Sequence, residues 1–280
     1  MKHALHLDIA GCRLAYSCQG AGPRVLLIQG VGVHGEGWRP QLEALLPHHT
    51  CLWYDNRGLG ASQPATSPLT VRRLADDAAA LLDAAQWPDV HVVGHSLGGL
   101  IALRLALSHP TRIRSLSLLC TFARGRDAGA SARMAWIGLR TRVGTRPMRR
   151  AAFLEILAPP HVLRTADCAR MARGLVPLLG HDLADHPPIE GQQISALRGE
   201  DCTAELPRLA GVPSLIVGAR FDPISPPSVG ERLAAGIPGA RYVLLPDQAH
   251  GAPILAADAV NALLLAHLRD AEAARPPAID

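Results

Sequence analysis

Lysine is all but missing from this chain: among its 28 lysines and arginines, only Lys2 is a lysine. Together with the abundance of alanine, glycine and proline, that bias reads as a GC-rich coding preference rather than a functional signal. The formal net charge of +4 over 280 residues is too small to point to nucleic acid. No apolar run approaches the roughly 20 residues that a bilayer-spanning helix needs. The first residues, MKHALHLDIAG, have neither the apolar stretch nor the small-residue cleavage site of a secretory leader, so the cytoplasm is the expected compartment. The six cysteines (Cys12, Cys18, Cys51, Cys120, Cys168 and Cys202) show no CxxC spacing and no cysteine–histidine cluster. Free thiols in a reducing compartment are therefore expected, rather than disulfides or zinc, and no structural metal or cofactor is implied.

What is present is an alternation of short apolar segments and amphipathic stretches. Leu5–Ile9 and Cys12–Ser17, divided by Gly11, read as a hairpin, and Val25–Ile28, Cys51–Tyr54, Val90–Val93 and Ile113–Leu119 as strands. Helical stretches lie at Trp38–Leu46 and at Thr70–Ala85, the latter opening on a capping threonine. The rhythm returns with a strand at Ser214–Val217, a helix at Pro227–Ala235, a strand at Tyr242–Leu245 and a closing helix over Ile254–Ala271. The tail Arg275-Pro276-Pro277 reads as frayed. Such alternation predicts an α/β fold, with a mostly parallel central sheet and helices on both faces. Residues 124–208 offer no strand, only helical stretches broken by Gly144, Pro147, Pro159-Pro160, Gly180 and Pro187-Pro188. They read as a helical cap inserted into a core formed by residues 1–123 and 209–280.

The chemistry is concentrated at Gly94–Gly99, GHSLGG, where the strand Val90–Val93 meets a helix. Gly-x-Ser-x-Gly at such a junction forms a nucleophile elbow, a turn tight enough to present the serine at its tip. A serine hydroxyl becomes nucleophilic only when a base takes its proton, and that base must be held by an acceptor. GARFDPISP places Asp222 just beyond one later strand, and PDQAHGAP places His250 after the next. Ser96, Asp222, His250 is a known chain order for such a triad. Asp247 and Asp127 are the rival acids, while His95 adjoins the serine but points away from its hydroxyl at the turn. Two N–H donors for an oxyanion are expected from Leu97, at the helix start, and from Val31, in the glycine-rich loop QGVGVHGEGW.

With these residues the chain resembles the α/β-hydrolase fold superfamily, in its capped group of small esterases, lactonases and cofactor-free haloperoxidases. The resemblance covers about residues 5–123 and 210–270. DNRGLGAS at Asp55–Ser62 is similar to the family's D-x-R-G-x-G-x-S loop, with Asp55 and Arg57 read as structural anchors. The chain departs from the usual His-Gly at Gln29-Gly30, a change that a backbone oxyanion donor should tolerate. A serine at 96 separates it from the branches that use an aspartate nucleophile. The resemblance implies hydrolysis of a small or medium carboxylic ester, lactone or thioester through an acyl-enzyme on Ser96, with no cofactor. An acyltransferase, a perhydrolase, a C–C bond hydrolase on the same triad and a non-catalytic binding protein remain open alternatives.

Between Arg124 and Arg173 stand eleven arginines against three acids. Either they are a solvated face, or they recognise an anionic substrate, a coenzyme A thioester or an acidic carrier protein. Gly30, Trp38 and Trp136 are the expected substrate-pocket residues.

Overall fold

The computed structural model describes residues 5–274, so Lys2 and the tail Arg275-Pro276-Pro277 lie outside the described residues. Eight strands form one sheet: β1 (Leu5–Ile9), β2 (Cys12–Gly20), β3 (Arg24–Ile28), β4 (Thr50–Tyr54), β5 (Val90–His95), β6 (Ile113–Leu119), β7 (Ser214–Ala219) and β8 (Arg241–Leu245). Their spatial order is β1-β2-β4-β3-β5-β6-β7-β8. β1 and β2 pair antiparallel, β2 joins β4 antiparallel, and every later pairing is parallel. The central strands are apolar without alternation because both faces are covered. All six residues of β5, including His91 and His95, are buried.

On one face lie α2 (Val71–Ala84), α3 (Leu97–Ser108) and α9 (Pro227–Gly236), whose apolar residues share a core with β3, β5 and β6. On the other, α1 (Arg39–Leu45) and α11 (Ala257–Ala273) close over Val25, Leu27, Val93 and Val217. α2 is amphipathic, burying Val71, Leu74, Ala75, Ala78, Leu81 and Leu82 at helical spacing. Its Thr70 cap accepts from the Arg73 N–H at 3.1 Å, as the sequence leads one to expect. α3 is apolar apart from Arg104 and Ser108, and its residues from Leu97 to Leu107 are buried, so it is an interior helix.

The chain between β6 and β7 is helical: α4 (Ala132–Arg140), α5 (Arg146–Leu157), α6 (Pro160–Leu163), α7 (Cys168–Leu179) and α8 (Glu190–Arg198). Leu154, Leu157, Ala172, Leu175, Leu179 and Leu183 give this helical stretch a small core of its own.

The closing helix departs from expectation. It is split into α10 (Ala252–Leu255) and α11 at Ala256, whose backbone is at φ −129° and ψ 43°. The Gln41 amide donates to the Pro253 carbonyl at 2.6 Å, occupying the acceptor that a continuous helix would offer to residue 257. No helix is long and apolar enough to cross a membrane among the described residues. All six cysteines are free thiols.

Candidate active site

Ser96 sits between β5 and α3 at φ 54° and ψ −121°, a conformation that a non-glycine residue holds only when its surroundings enforce it. The Ser96 N–H donates to the Leu119 carbonyl at 3.0 Å, and the Ser96 carbonyl accepts from the Thr121 hydroxyl at 2.6 Å and the Gly99 N–H at 3.0 Å. Two glycines let the turn close. A Cβ on Gly94 would strike the Gly98 backbone, and one on Gly98 would strike the Ile28 carbonyl at the end of β3. Gly98 therefore makes room for β3 rather than for the elbow strand alone.

The sharp turn brings the Ser96 hydroxyl to 3.0 Å from Nε2 of His250, while Nδ1 of the same ring lies 2.8 Å from Oδ2 of Asp222. Sequence distances of 154 and 28 residues are closed because the three residues follow β5, β7 and β8 at the same end of the sheet. The Ile224 and Ser225 N–H groups donate to Oδ1 of Asp222 at 2.8 and 2.9 Å, fixing the carboxylate and leaving Oδ2 for the imidazole. The three side chains are nearly enclosed, with residue exposures of 6% for Ser96, 3% for Asp222 and 5% for His250. The backbone of His250 is tied to α5, since its N–H donates to the Ile156 carbonyl at 3.2 Å.

His95 is engaged with the backbone of His250 rather than with the serine hydroxyl. Its Nε2 donates to the His250 carbonyl at 3.0 Å, and the two rings lie 4.9 Å apart. Burial, followed by the neighbouring His250, pushes its pKa down to about 3, so it is a neutral donor. Of the rival acids, Asp127 is engaged by Arg232 at 3.2 Å, remote in role from the histidine. One neighbour carries no sequence signal. Cys120, at φ 47°, places its buried thiol against the Asp222 carboxylate, and burial raises its pKa well above the ordinary value, so it stays protonated. His95, Cys120 and His250 bring their ligand atoms within 4.8 Å of one another. Both imidazoles there are already committed to hydrogen bonds.

The loop after β3 reaches the serine from the other side. A Cβ on Gly30 would sit 3.0 Å from the Ser96 Cβ, so glycine sets the approach. Neither the Val31 nor the Leu97 N–H has an acceptor among the described residues. Gln29 turns its Oε1 to the Gly30 N–H at 3.2 Å, and its carbonyl accepts from Asn56 at 3.0 Å. Asp55 accepts from the Gly35 and Ala61 N–H groups at 2.8 and 2.9 Å. Arg57 makes a buried two-pronged pair with Asp77 at 2.8 and 2.5 Å. Both act as anchors. Trp38 is a correction: it is wholly buried in the core with Val25, Leu27, Leu42 and Trp53, so it lines no substrate pocket. It ends a short 3-10 turn, Gly35–Trp38, which swings the indole under the sheet. Trp136 lies on α4 and is 60% exposed, an apolar side chain turned to solvent.

Among the described residues, four of the eleven arginines between Arg124 and Arg173 pair with acids outside that stretch, Arg124 with Asp201 at 3.7 Å among them. Arg146 pairs with Asp185 at 2.8 Å, Arg150 with Asp182, and Arg142 with Glu190 at 2.8 Å. Within the window Arg140 meets Glu155 at 2.8 Å. Arg133 and Arg164 instead line a groove together with Glu155, Ala158, Pro160 and Leu163.

Residues 23–161 match the family model described as alpha/beta hydrolase fold, and residues 197–278 match one described as TAP-like protein. A protein named "Putative carbamate hydrolase RutD" from Variovorax paradoxus is 33% identical over 92% of this chain and 96% of its own. The crystal structure of a hydrolase from Pseudomonas aeruginosa is 32% identical and superimposes with a TM-score of 0.78 over 94% of this chain and 97% of its own. The enol-lactonase from Burkholderia xenovorans is 27% identical, with a TM-score of 0.78 over 95% of this chain and 100% of its own.

Proposed function

The chain belongs to the alpha/beta hydrolase fold family, and from that premise we propose that it is a serine hydrolase cleaving a small or medium carboxylic ester or lactone. The observation that carries this reading is the unbroken chain from the Ser96 hydroxyl through His250 to Asp222, at 3.0 and 2.8 Å. Ser96 attacks the carbonyl carbon while His250 Nε2 takes its proton. Asp222 holds the ring with Nδ1–H toward itself and stabilises the imidazolium that forms. The negative oxygen of the tetrahedral intermediate is met by the Val31 and Leu97 N–H groups, the second at the N-terminus of α3, whose dipole favours the charge. His250 returns the proton to the departing alcohol, and water, activated by the same imidazole, releases the acid from Ser96. Every step is assigned to residues of this chain, so no cofactor enters. Residues 124–208 act as the cap that shapes the acyl site, and an anionic acyl group would be met at the groove by Arg133 and Arg164.

The name of the 33% identical relative favours a second substrate class, a carbamate. Its carbonyl presents the same geometry to Ser96, with nitrogen on the departing side or retained on a carbamoyl-enzyme. Transfer to an alcohol or to peroxide would use the same acyl-enzyme, and competing acceptors added to the assay report it directly.

The test is hydrolysis of p-nitrophenyl esters of increasing chain length, a lactone and an N-substituted carbamate by wild type and Ser96→Ala. Loss of the nucleophile should lower kcat/KM by about 10³-fold or more. Full activity in Ser96→Ala would remove the serine mechanism. A wild type that neither turns over any of these nor is labelled at Ser96 by a fluorophosphonate would favour a binding protein.

A further inference from the structure

The loop that carries Val31 is gripped by the cap. Gly32, the next residue, donates its N–H to Oε1 of Gln193 on α8 at 2.8 Å, 161 residues later in the chain. Nε2 of His181, 149 residues later, lies 3.1 Å from the Gly32 carbonyl and donates to it in the Nε2–H tautomer, while Nδ1 faces the Asp182 carbonyl at 2.9 Å. Both polar groups of one loop residue are thus taken by cap side chains. The sheet side of the loop holds less. The Val33 N–H reaches the Gly30 carbonyl at 3.4 Å, closing a turn with Gly32 at its third position and φ +71°. Positive φ at that position is the mark of a type II turn, which converts to type I when its central peptide flips. Glycine tolerates either form, so the sequence of the loop does not itself forbid the flip. The N–H of that central peptide is the one that Gln193 holds.

Gln193 is 0% exposed, and its amide orientation is set by having to accept from Gly32. Its Nε2 has no acceptor among the described residues. A buried donor with no protein acceptor carries a cost that an apolar side chain of the same size would avoid. The residue is therefore suited to its acceptor rather than to packing. Resting on the hydrolase reading above, we propose that Gln193 is a positioning residue of the oxyanion site: by anchoring the Gly32 end of the turn Gly30–Val33 it fixes where the loop holds the Val31 N–H against the developing oxyanion, with His181 as the second contact on Gly32.

The test uses the full chain and the p-nitrophenyl ester that wild type prefers, with active serines counted by fluorophosphonate titration. Gln193→Met keeps the length and removes the acceptor. Its kcat per labelled serine should fall at least tenfold, less than the 10²–10³-fold lost when an oxyanion donor is removed outright, with KM within about twofold. A boronic acid of matching acyl chain, which mimics the tetrahedral anion, should lose affinity in parallel. His181→Phe should act in the same direction, and the double variant should cost less than the product of the two, because both act on Gly32. The inference is overturned if kcat per labelled serine and boronate affinity stay within twofold of wild type in Gln193→Met, or if the loss falls on KM alone. If wild type itself neither labels nor turns over, the hydrolase reading falls and this inference with it.

Discussion

The end of the sheet and the cap above it are held together by different physics. At the sheet end every functional group is buried and each hydrogen bond is short and singular: Ser96 to His250, His250 to Asp222, Asp222 to two backbone N–H groups. In the cap the polar contacts are arginine–carboxylate pairs at the surface, such as Arg146 with Asp185, each side chain 48% exposed. Buried and singular bonds cannot be exchanged, so one substitution there should be decisive. Exposed pairs are screened by water and replaceable, so the cap should tolerate change except where, at Gln193 and His181, it reaches into the sheet side.

The sharpest test of that contrast is Asp222→Asn. Asparagine can still accept from Ile224 and Ser225, but its amide nitrogen would face His250 and favour the wrong tautomer. We expect kcat/KM to fall on the order of 10⁴-fold with a nearly unchanged melting temperature. A loss of less than tenfold would mean that another acid, Asp247 first, orients the ring. Next in size is Gly98→Ala, whose methyl group would be driven into the Ile28 carbonyl. A loss of roughly 3 kcal/mol or more in urea unfolding, or failure to fold, is expected. A mild effect would show that the elbow can relax as the cap does.

Acid should also separate the regions. His95 is pushed down to about 3 and His91 to about 4, chiefly by burial, while an unfolded histidine titrates near 6.5. Between those values the unfolded chain binds more protons, so stability is full above about pH 6.5 and is lost as the pH falls toward 4. Each buried histidine contributes up to about 1.4 kcal/mol per pH unit in that window. Urea midpoints measured from pH 8 to 4 should therefore fall, and His91→Gln should flatten the slope. A midpoint independent of pH would show that neither ring is enclosed as described.

What could be read in the sequence follows the same division. The elbow, the strand ends that carry Asp222 and His250, and the glycine loop are local patterns whose chemistry depends on a few neighbouring residues. They were legible for that reason, and the structure brings Ser96, Asp222 and His250 together. Trp38 was misjudged because a tryptophan after a glycine-rich loop looks alike whether it faces a pocket or the core. Only the 3-10 turn that carries it decides. Part of the arginine excess of 124–173, at Arg142, Arg146 and Arg150, meets Glu190, Asp185 and Asp182, which stand outside that stretch and are not marked as partners by it. Cys120 and Gln193 were invisible: their roles rest on contacts across the fold, and nothing in their neighbours marks them.

The smallest expected effect has the opposite sign. Gly174 lies inside α7, at ordinary helical backbone, and a Cβ there would meet nothing within 4 Å. Glycine in a helix interior costs roughly 0.5–1 kcal/mol relative to alanine, because the unfolded chain has more freedom to lose. Gly174→Ala should therefore raise stability by about that amount and leave kcat/KM within twofold. The same chemical change, one methyl group on a helical glycine, would then destroy the sheet end at Gly98 and improve the cap at Gly174. If Gly174→Ala instead lowers kcat while stabilising the chain, α7 must move during turnover. The cap would then be a working part of the site beyond its grip on Gly32.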